Sequence, residues 1–260
     1  MENKILKPRE ILISLALKYE GDWDKITEAI KAKERPDEAF IEEASSTKAI
    51  TLLDAEYPAA LRQCYKPPIV LFYEGDISLM RDMNTCVAYV GSRDATPYGN
   101  EMARTICQGL AKEGYKIVSG LARGIDTQAL ASVVNEGKAI AVLGNGIGYC
   151  YPSENTDLYE AIKAKGLVIS EYPKMTKPTH ETFPLRNRIV AGLSKALVVG
   201  EASRRSGTMI TVNYALSYNK DVGCVPFRAT EDSACNSLIK EGAFMVESAK
   251  DVLDMLGIVK

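Results

Sequence analysis

The chain has 260 residues, 46% hydrophobic and 25% charged, with a formal net charge of −2 and an isoelectric point near 5.7. This size and apolar content suffice for a full core. The acidity excludes a uniformly basic nucleic-acid binder, so any such binding has to come from a local patch. The opening MENKILKPRE is charged where a secretory segment has an apolar stretch, and no run approaches the ~20 apolar residues of a membrane span. A cytoplasmic protein without membrane contact is therefore expected. Cys64, Cys86, Cys107, Cys150, Cys224 and Cys235 form no C-x-x-C pair and stand beside a single histidine, which argues against zinc and against a disulfide framework.

In chain order, Pro8 opens a first helix with Ile11, Leu12, Leu15 and Ala16 on one face. Asp22 is placed to cap a second helix, whose inner side is read as Trp23, Ile26 and Ile30; Pro36-Asp37 then punctuates before Ala39, Phe40 and Ile41. Residues 1–46 are thus a small helical module. Between Met1 and Ile50 it holds 11 acidic and 9 basic residues, a balance that suits packing or partner contact better than DNA. A second unit, residues 50–260, alternates strand and helix. Its expected strands are Ile50 to Leu53, Ile69 to Tyr73, Val87 to Val90, Lys116 to Val118, Ala139 to Leu143, Leu167 to Ser170, Ala196 to Val199, Val222 to Val225 and Phe244 to Val246. Helices are expected over Tyr57 to Cys64, after Arg93, over Thr127 to Asn135, Leu158 to Ala164, Arg186 to Leu193, Thr208 to Tyr218, Ser237 to Lys240 and Asp251 to Leu256. Alternation of this kind means an open α/β fold, an extended Rossmann-like, doubly wound and mostly parallel sheet with right-handed crossovers.

In such a sheet the loops at the carboxyl ends of the strands line the ligand crevice. That groups Gly91-Ser92-Arg93, Gly120 to Gly124 with Arg123, Gly144 to Gly148, the segment from Glu171 to Arg188, and Ser203 to Thr208 with Ser206-Gly207. Glycine turns supply backbone N–H donors and arginines supply fixed charge, which suits phosphates. No G-x-x-x-x-G-K-[ST] is present and Gly144-Asn145-Gly146 does not extend to G-x-G-x-x-G, so neither a Walker NTPase nor dinucleotide binding is supported. Lys174, Lys177, Arg186 and Arg188 face only Glu181 in charge, with His180 and Phe183 among them. Cations that track a backbone and a ring for a base to stack on are what a single-stranded nucleic-acid groove needs. The plainer readings are that Phe183 staples a helix start and that Arg186 pairs with Glu171 or Glu201.

Val90-Gly91-Ser92-Arg93, Ser119-Gly120-Leu121-Ala122-Arg123-Gly124-Ile125-Asp126, Tyr151-Pro152, Phe183-Pro184-Leu185-Arg186-Asn187-Arg188-Ile189 and Ser206-Gly207-Thr208 together resemble, in order and spacing, the DNA-processing protein A (DprA/Smf) family. The resemblance runs from about Ile50 to Leu256. It implies a Rossmann-like domain that binds single-stranded DNA, dimerises and loads RecA recombinase onto incoming strands in natural transformation, with no cofactor and no enzymatic turnover. By position, Arg93 would grip phosphate, Phe183 would stack on a base and Arg186-Asn187-Arg188 would shape the pocket; some relatives carry lysine at the place of His180. Some relatives also continue into a winged helix, which a chain stopping at Lys260 is expected to lack. Two alternatives share the fold. A LOG-like phosphoribohydrolase needs P-G-G-x-G-T-x-x-E, but Gly207-Thr208 is followed here by Met209-Ile210-Thr211, which leaves no carboxylate for acid–base chemistry. A sensor of a nucleotide-derived ligand would use the same loops for a small molecule.

Overall fold

The structure, a computed structural model, describes residues 6–231 and 233–258; the remainder of the expected 1–46 and 50–260 units lies outside it. Three helices come first, α1 (Pro8–Lys18), α2 (Trp23–Lys31) and α3 (Glu38–Ser46). The Asp22 carboxylate accepts from the backbone N–H groups of Asp24 and Lys25, the cap that the sequence implies. Ile26 is buried on the inner side of α2, whereas Ile30 is 41% exposed. The inward stripe of so short a helix is completed by Ala29 instead.

One nine-stranded sheet follows. Its strands are β1 (Ala49–Thr51), β2 (Val70–Gly75), β3 (Cys86–Gly91), β4 (Lys116–Ser119), β5 (Ala139–Leu143), β6 (Leu167–Ser170), β7 (Ala196–Glu201), β8 (Asp221–Cys224) and β9 (Phe244–Met245). They lie in the order β1-β2-β6-β5-β4-β3-β7-β8-β9. From β6 through to β9 every pairing is parallel, and β2 and β1 join the β6 edge antiparallel. The sheet is therefore mostly parallel.

Buried residues of adjacent positions go to opposite faces, as the pleat requires. Val87 and Tyr89 join one apolar cluster while Cys86, Ala88 and Val90 join the other. On the first face lie α1 to α3, α5 (Pro97–Lys112), α6 (Ile125–Ala131), α7 (Thr156–Lys165) and α11 (Ala249–Met255). The second face is covered by α4 (Ala59–Arg62), α8 (Thr182–Gly192), α9 (Thr208–Ser217) and α10 (Ala234–Lys240). Helices on both faces explain why the strands read as unbroken apolar runs. The N-terminal helices share their core with the sheet, since Ile13, Leu15, Ile26 and Ala44 belong to the cluster that holds Val87 and Ile117.

Strand order reverses beside β3. The chain steps outward from β3 through β4 and β5 to β6, then α8 carries it back to β7 on the other side of β3. At such a switch point the loops leaving neighbouring strands diverge and open a crevice.

Candidate functional site

Gly91 ends β3 at this crevice. A Cβ there would lie 2.7 Å from the Glu201 carbonyl and 2.7 Å from the Ile125 side chain, so only glycine lets β3, β7 and α6 come this close. The Ser92 N–H donates to the Glu201 carbonyl at 2.7 Å, and the Glu201 carboxylate accepts from the Thr96 N–H and hydroxyl at 2.9 and 3.0 Å. Thr96 in turn caps α5 by accepting from the Gly99 N–H. The helix after Arg93 accordingly begins at Pro97, which leaves residues 92–96 as a tethered loop with Arg93 exposed on it.

A second glycine turn holds a second side chain. The Phe183 ring lies against Gly144, where a Cβ would meet Cδ1 at 2.6 Å. The Arg93 guanidinium sits 5.8 Å from the Phe183 ring centroid, and the Tyr151 ring is 5.6 Å away, tilted by 34°. Arg93 and Tyr151 are exposed and Phe183 is half-buried. A guanidinium at this distance from an aromatic face is held by the ring quadrupole while its donors stay free.

The segment 173–181 is pinned beneath. The Gly146 N–H donates to the Thr176 carbonyl at 2.8 Å and the Ile147 N–H to the Tyr172 carbonyl at 3.2 Å. A Cβ on Gly146 would strike Thr176 N at 2.5 Å. Lys174, Lys177 and His180 are exposed along this segment. Thr179 and Thr182 then exchange hydrogen bonds, each N–H donating to the other's hydroxyl at 3.1 and 3.3 Å, which starts α8 at Thr182, four residues before the expected Arg186.

That early start decides which side chains share a face. Phe183, Arg186 and Asn187 stand three and four residues apart on α8, and Arg188 is rotated off their stripe. Arg186 is buried under the Gly120 turn and donates to the carbonyls of Gly120 (2.6 Å) and Val142, while Nε reaches the Asn187 side chain at 3.1 Å. Burial pushes its pKa down to about 10, an effect opposed by the charge of Asp126. Asp126 accepts from the Gly120 N–H at 3.0 Å, and burial raises its pKa against the pull of Arg186. Arg186 thus braces the turn from inside.

Arg188, expected with Arg186 and Asn187 to shape the pocket, is held inside the fold. It is 0% exposed, donates through Nη2 to both Glu171 carboxylate oxygens at 2.7 Å, and reaches the carbonyls of Tyr65 and Lys66 at 3.0 Å. Burial alone would lower its pKa, but Glu171 more than offsets this and keeps the guanidinium charged. Glu171 therefore pairs with Arg188 and not with Arg186, and Glu201 serves the Thr96 loop. Arg123 is exposed but lies 3.8 Å from Glu154, so part of its charge is already met. Gly124 has a positive φ of 75° and packs against the Ser92–Arg93 backbone. Ser206 and Gly207 open α9 beside the end of β7, and the Ser206 hydroxyl oxygen is buried with no hydrogen-bond partner among the described residues. Tyr151 and Glu201 are positions that the sequence does not single out as site residues, and Gly144 enters there only as part of a glycine-rich loop. Tyr-Pro at the end of a glycine-rich turn was the available signal for Tyr151. Among the described residues no cluster of His, Cys, Asp or Glu is arranged to hold a metal, and no helix is long and apolar enough to cross a membrane.

These features place the chain among Rossmann-like α/β proteins whose open rim lies at the switch point. Comparison with known proteins goes further: residues 48–257 match the family model for DNA recombination-mediator protein A, and the chain belongs to that family. It is 41% identical over 208 residues to the DNA processing protein DprA of Streptococcus pneumoniae, covering 79% of this chain and 73% of that one. It is likewise 41% identical over 227 residues to Protein Smf of Synechocystis, covering 85% of this chain but only 57% of that protein's length. The crystal structure of the Streptococcus pneumoniae protein superposes with a TM-score of 0.78 at 35% identity, over 96% of this chain and 93% of that one. A Helicobacter pylori structure, described as showing a single-stranded DNA binding mode of DNA processing protein A, gives 0.74 at 31% identity, over 82% and 97%.

Proposed function

We propose that this chain binds single-stranded DNA without chemically altering it, and that as a cytoplasmic homodimer it loads RecA onto incoming strands in natural transformation. The observation that carries the binding is the Arg93–Phe183–Tyr151 stack seated on Gly144, with Lys174 and Lys177 exposed along the adjoining segment. An aromatic ring stacks on any base face, while a guanidinium and lysines follow phosphates without regard to sequence. The described binding mode of the Helicobacter pylori relative supports the same ligand. A non-enzymatic role is supported by α9, which carries no acidic residue in its first turn after Gly207, so the general acid–base group of a phosphoribohydrolase has no counterpart there. The helices of residues 6–46 serve in this reading as a packing appendage of the second unit.

Titration of the purified chain with single- and double-stranded oligonucleotides of equal length tests the binding. Preference for the single strand with a steep loss of affinity in salt is expected; equal affinity for a mononucleotide and a long strand would favour a nucleotide sensor instead. The RecA role is tested by RecA filament nucleation on single-stranded DNA with and without the chain, where acceleration is expected.

A further inference from the structure

A groove of about 640 Å3 runs between the N-terminal helices and the basic segment, a size typical of sites that enclose one small ligand. Tyr19 and Trp23 reach it from the helical module, and Tyr172, Lys177 and Glu181 from the stretch between β6 and α8. Three of the non-glycine residues with positive φ border it, Glu20 at 51°, Lys66 at 44° and Met175 at 67°. Backbone held in this region persists where its surroundings fix it, and such positions gather at ligand sites. Met175 is 72% exposed at the groove.

The charges of the walls sort by partner. Asp24 is taken by Lys66 at 2.6 Å, and Asp22 caps α2 and meets Lys25 at 3.3 Å. Glu20 and Glu181 are exposed and, among the described residues, have no ion pair or side-chain hydrogen bond; the same holds for Lys177. Two uncommitted carboxylates and one ammonium do not suit a polyanion laid along the groove. Carboxylates only accept hydrogen bonds, so the ligand they favour presents N–H donors, and the aromatic walls favour a flat ring. Lys177 belongs to both the groove and the basic segment, and Thr182, at the groove, directly precedes Phe183. A strand stacked on Phe183 therefore has a short route to it.

We propose that this groove is a second subsite on the same strand, a receptor for a single nucleobase that prefers guanine, with Glu20 and Glu181 as the acceptors and Lys177 meeting the adjacent phosphate. The proposal rests on the single-stranded DNA reading above. Guanine carries N1–H and N2–H2 side by side, a match for the two oxygens of a carboxylate, whereas thymine sets its one N–H between two carbonyls that a carboxylate repels.

Trp23 is the only tryptophan of the chain, so its emission reports on the groove while the anisotropy of a labelled oligonucleotide reports on the rim. Thymine-only oligomers and oligomers with one interior guanine are titrated into the full chain, with dGMP and dTMP in parallel. Guanine-containing strands are expected to bind several-fold more tightly and to change Trp23 emission, dGMP to do so at higher concentration, and thymine-only strands to bind without that change. Joint Glu20→Gln and Glu181→Gln substitution, both at exposed positions, is expected to abolish the guanine preference and to leave thymine-only binding no weaker, since two charges that repel phosphate are removed; it also corrects for absorption by the nucleotide. Oligomer binding with silent Trp23 emission, or an equal response to guanine and thymine, overturns the subsite while sparing the rim. A dGMP response without any strand binding upholds the groove and overturns the rim instead.

Discussion

The Glu171 carboxylate and the Arg188 guanidinium meet where neither reaches water, and their isolation sets the cost of breaking them. Glu171→Ala leaves an uncompensated buried charge and is expected to lower stability by about 3–5 kcal/mol, measured by denaturant unfolding; a further Arg188→Met change should restore part of the loss. Arg93→Ala has the opposite profile. It lies exposed on a tethered loop, so unfolding should be unaffected while the salt dependence of DNA binding falls by about one charge. If the proposed stacking holds, Phe183→Ala should cost about 1–3 kcal/mol of binding, read in a gel-shift titration. Gly144→Ala tests the cradle: its Cβ would sit 2.6 Å from the Phe183 ring, so the ring must shift away from Arg93. Affinity should drop toward that of Phe183→Ala, with stability little changed because a half-buried ring can move.

Among the elements, α8 organises the site because one helix serves two purposes through its period. Phe183, Arg186 and Asn187 follow the 3.6-residue stripe toward the Gly120 and Gly144 turns, and Arg188 falls on the flank that meets Glu171 and the carbonyls of Tyr65 and Lys66. Arg186 meets the Gly120 and Val142 carbonyls through Nη1 and the Asn187 side chain through Nε; a lysine there keeps the charge but has one ammonium that cannot stand at both places. Arg186→Lys is therefore expected to loosen the Gly120 turn, seen as faster amide exchange at Gly120 to Gly124 than in the parent chain. The segment 173–181 is held by backbone bonds to the Gly144 to Gly148 turn, which keeps its lysines beside the stack without a regular element of its own.

For the whole molecule, the two ends of the sheet differ. At one end β2 and β1 turn antiparallel under the N-terminal helices, and at the other β9 is an open edge with Phe244 47% and Met245 54% exposed. An exposed apolar edge strand is a ready surface for a second copy. If the proposed homodimer forms there, joint Phe244→Glu and Met245→Glu substitution is expected to give a monomer by sedimentation equilibrium with an unchanged circular dichroism spectrum. A mass that stays dimeric would place the interface elsewhere.

The strands and their order along the chain were legible in the sequence, because a strand covered on both faces must be an unbroken apolar run and the glycines mark where each one ends. The loops that share the rim followed from the same alternation, and Arg93 and Phe183 stood out by residue type. Local pattern could not say that Arg188 is buried while Arg93 is free, or that Glu171 belongs to Arg188. Nor could it place the start of α8, which rests on a Thr179–Thr182 exchange, or the outward turn of Ile30. These depend on which distant surfaces close over a side chain, and burial of a charge is set by its partner across the fold, not by its neighbours in sequence. The seating of Phe183 on Gly144 and the groove beside Trp23 exist only once residues far apart in the chain have been brought together.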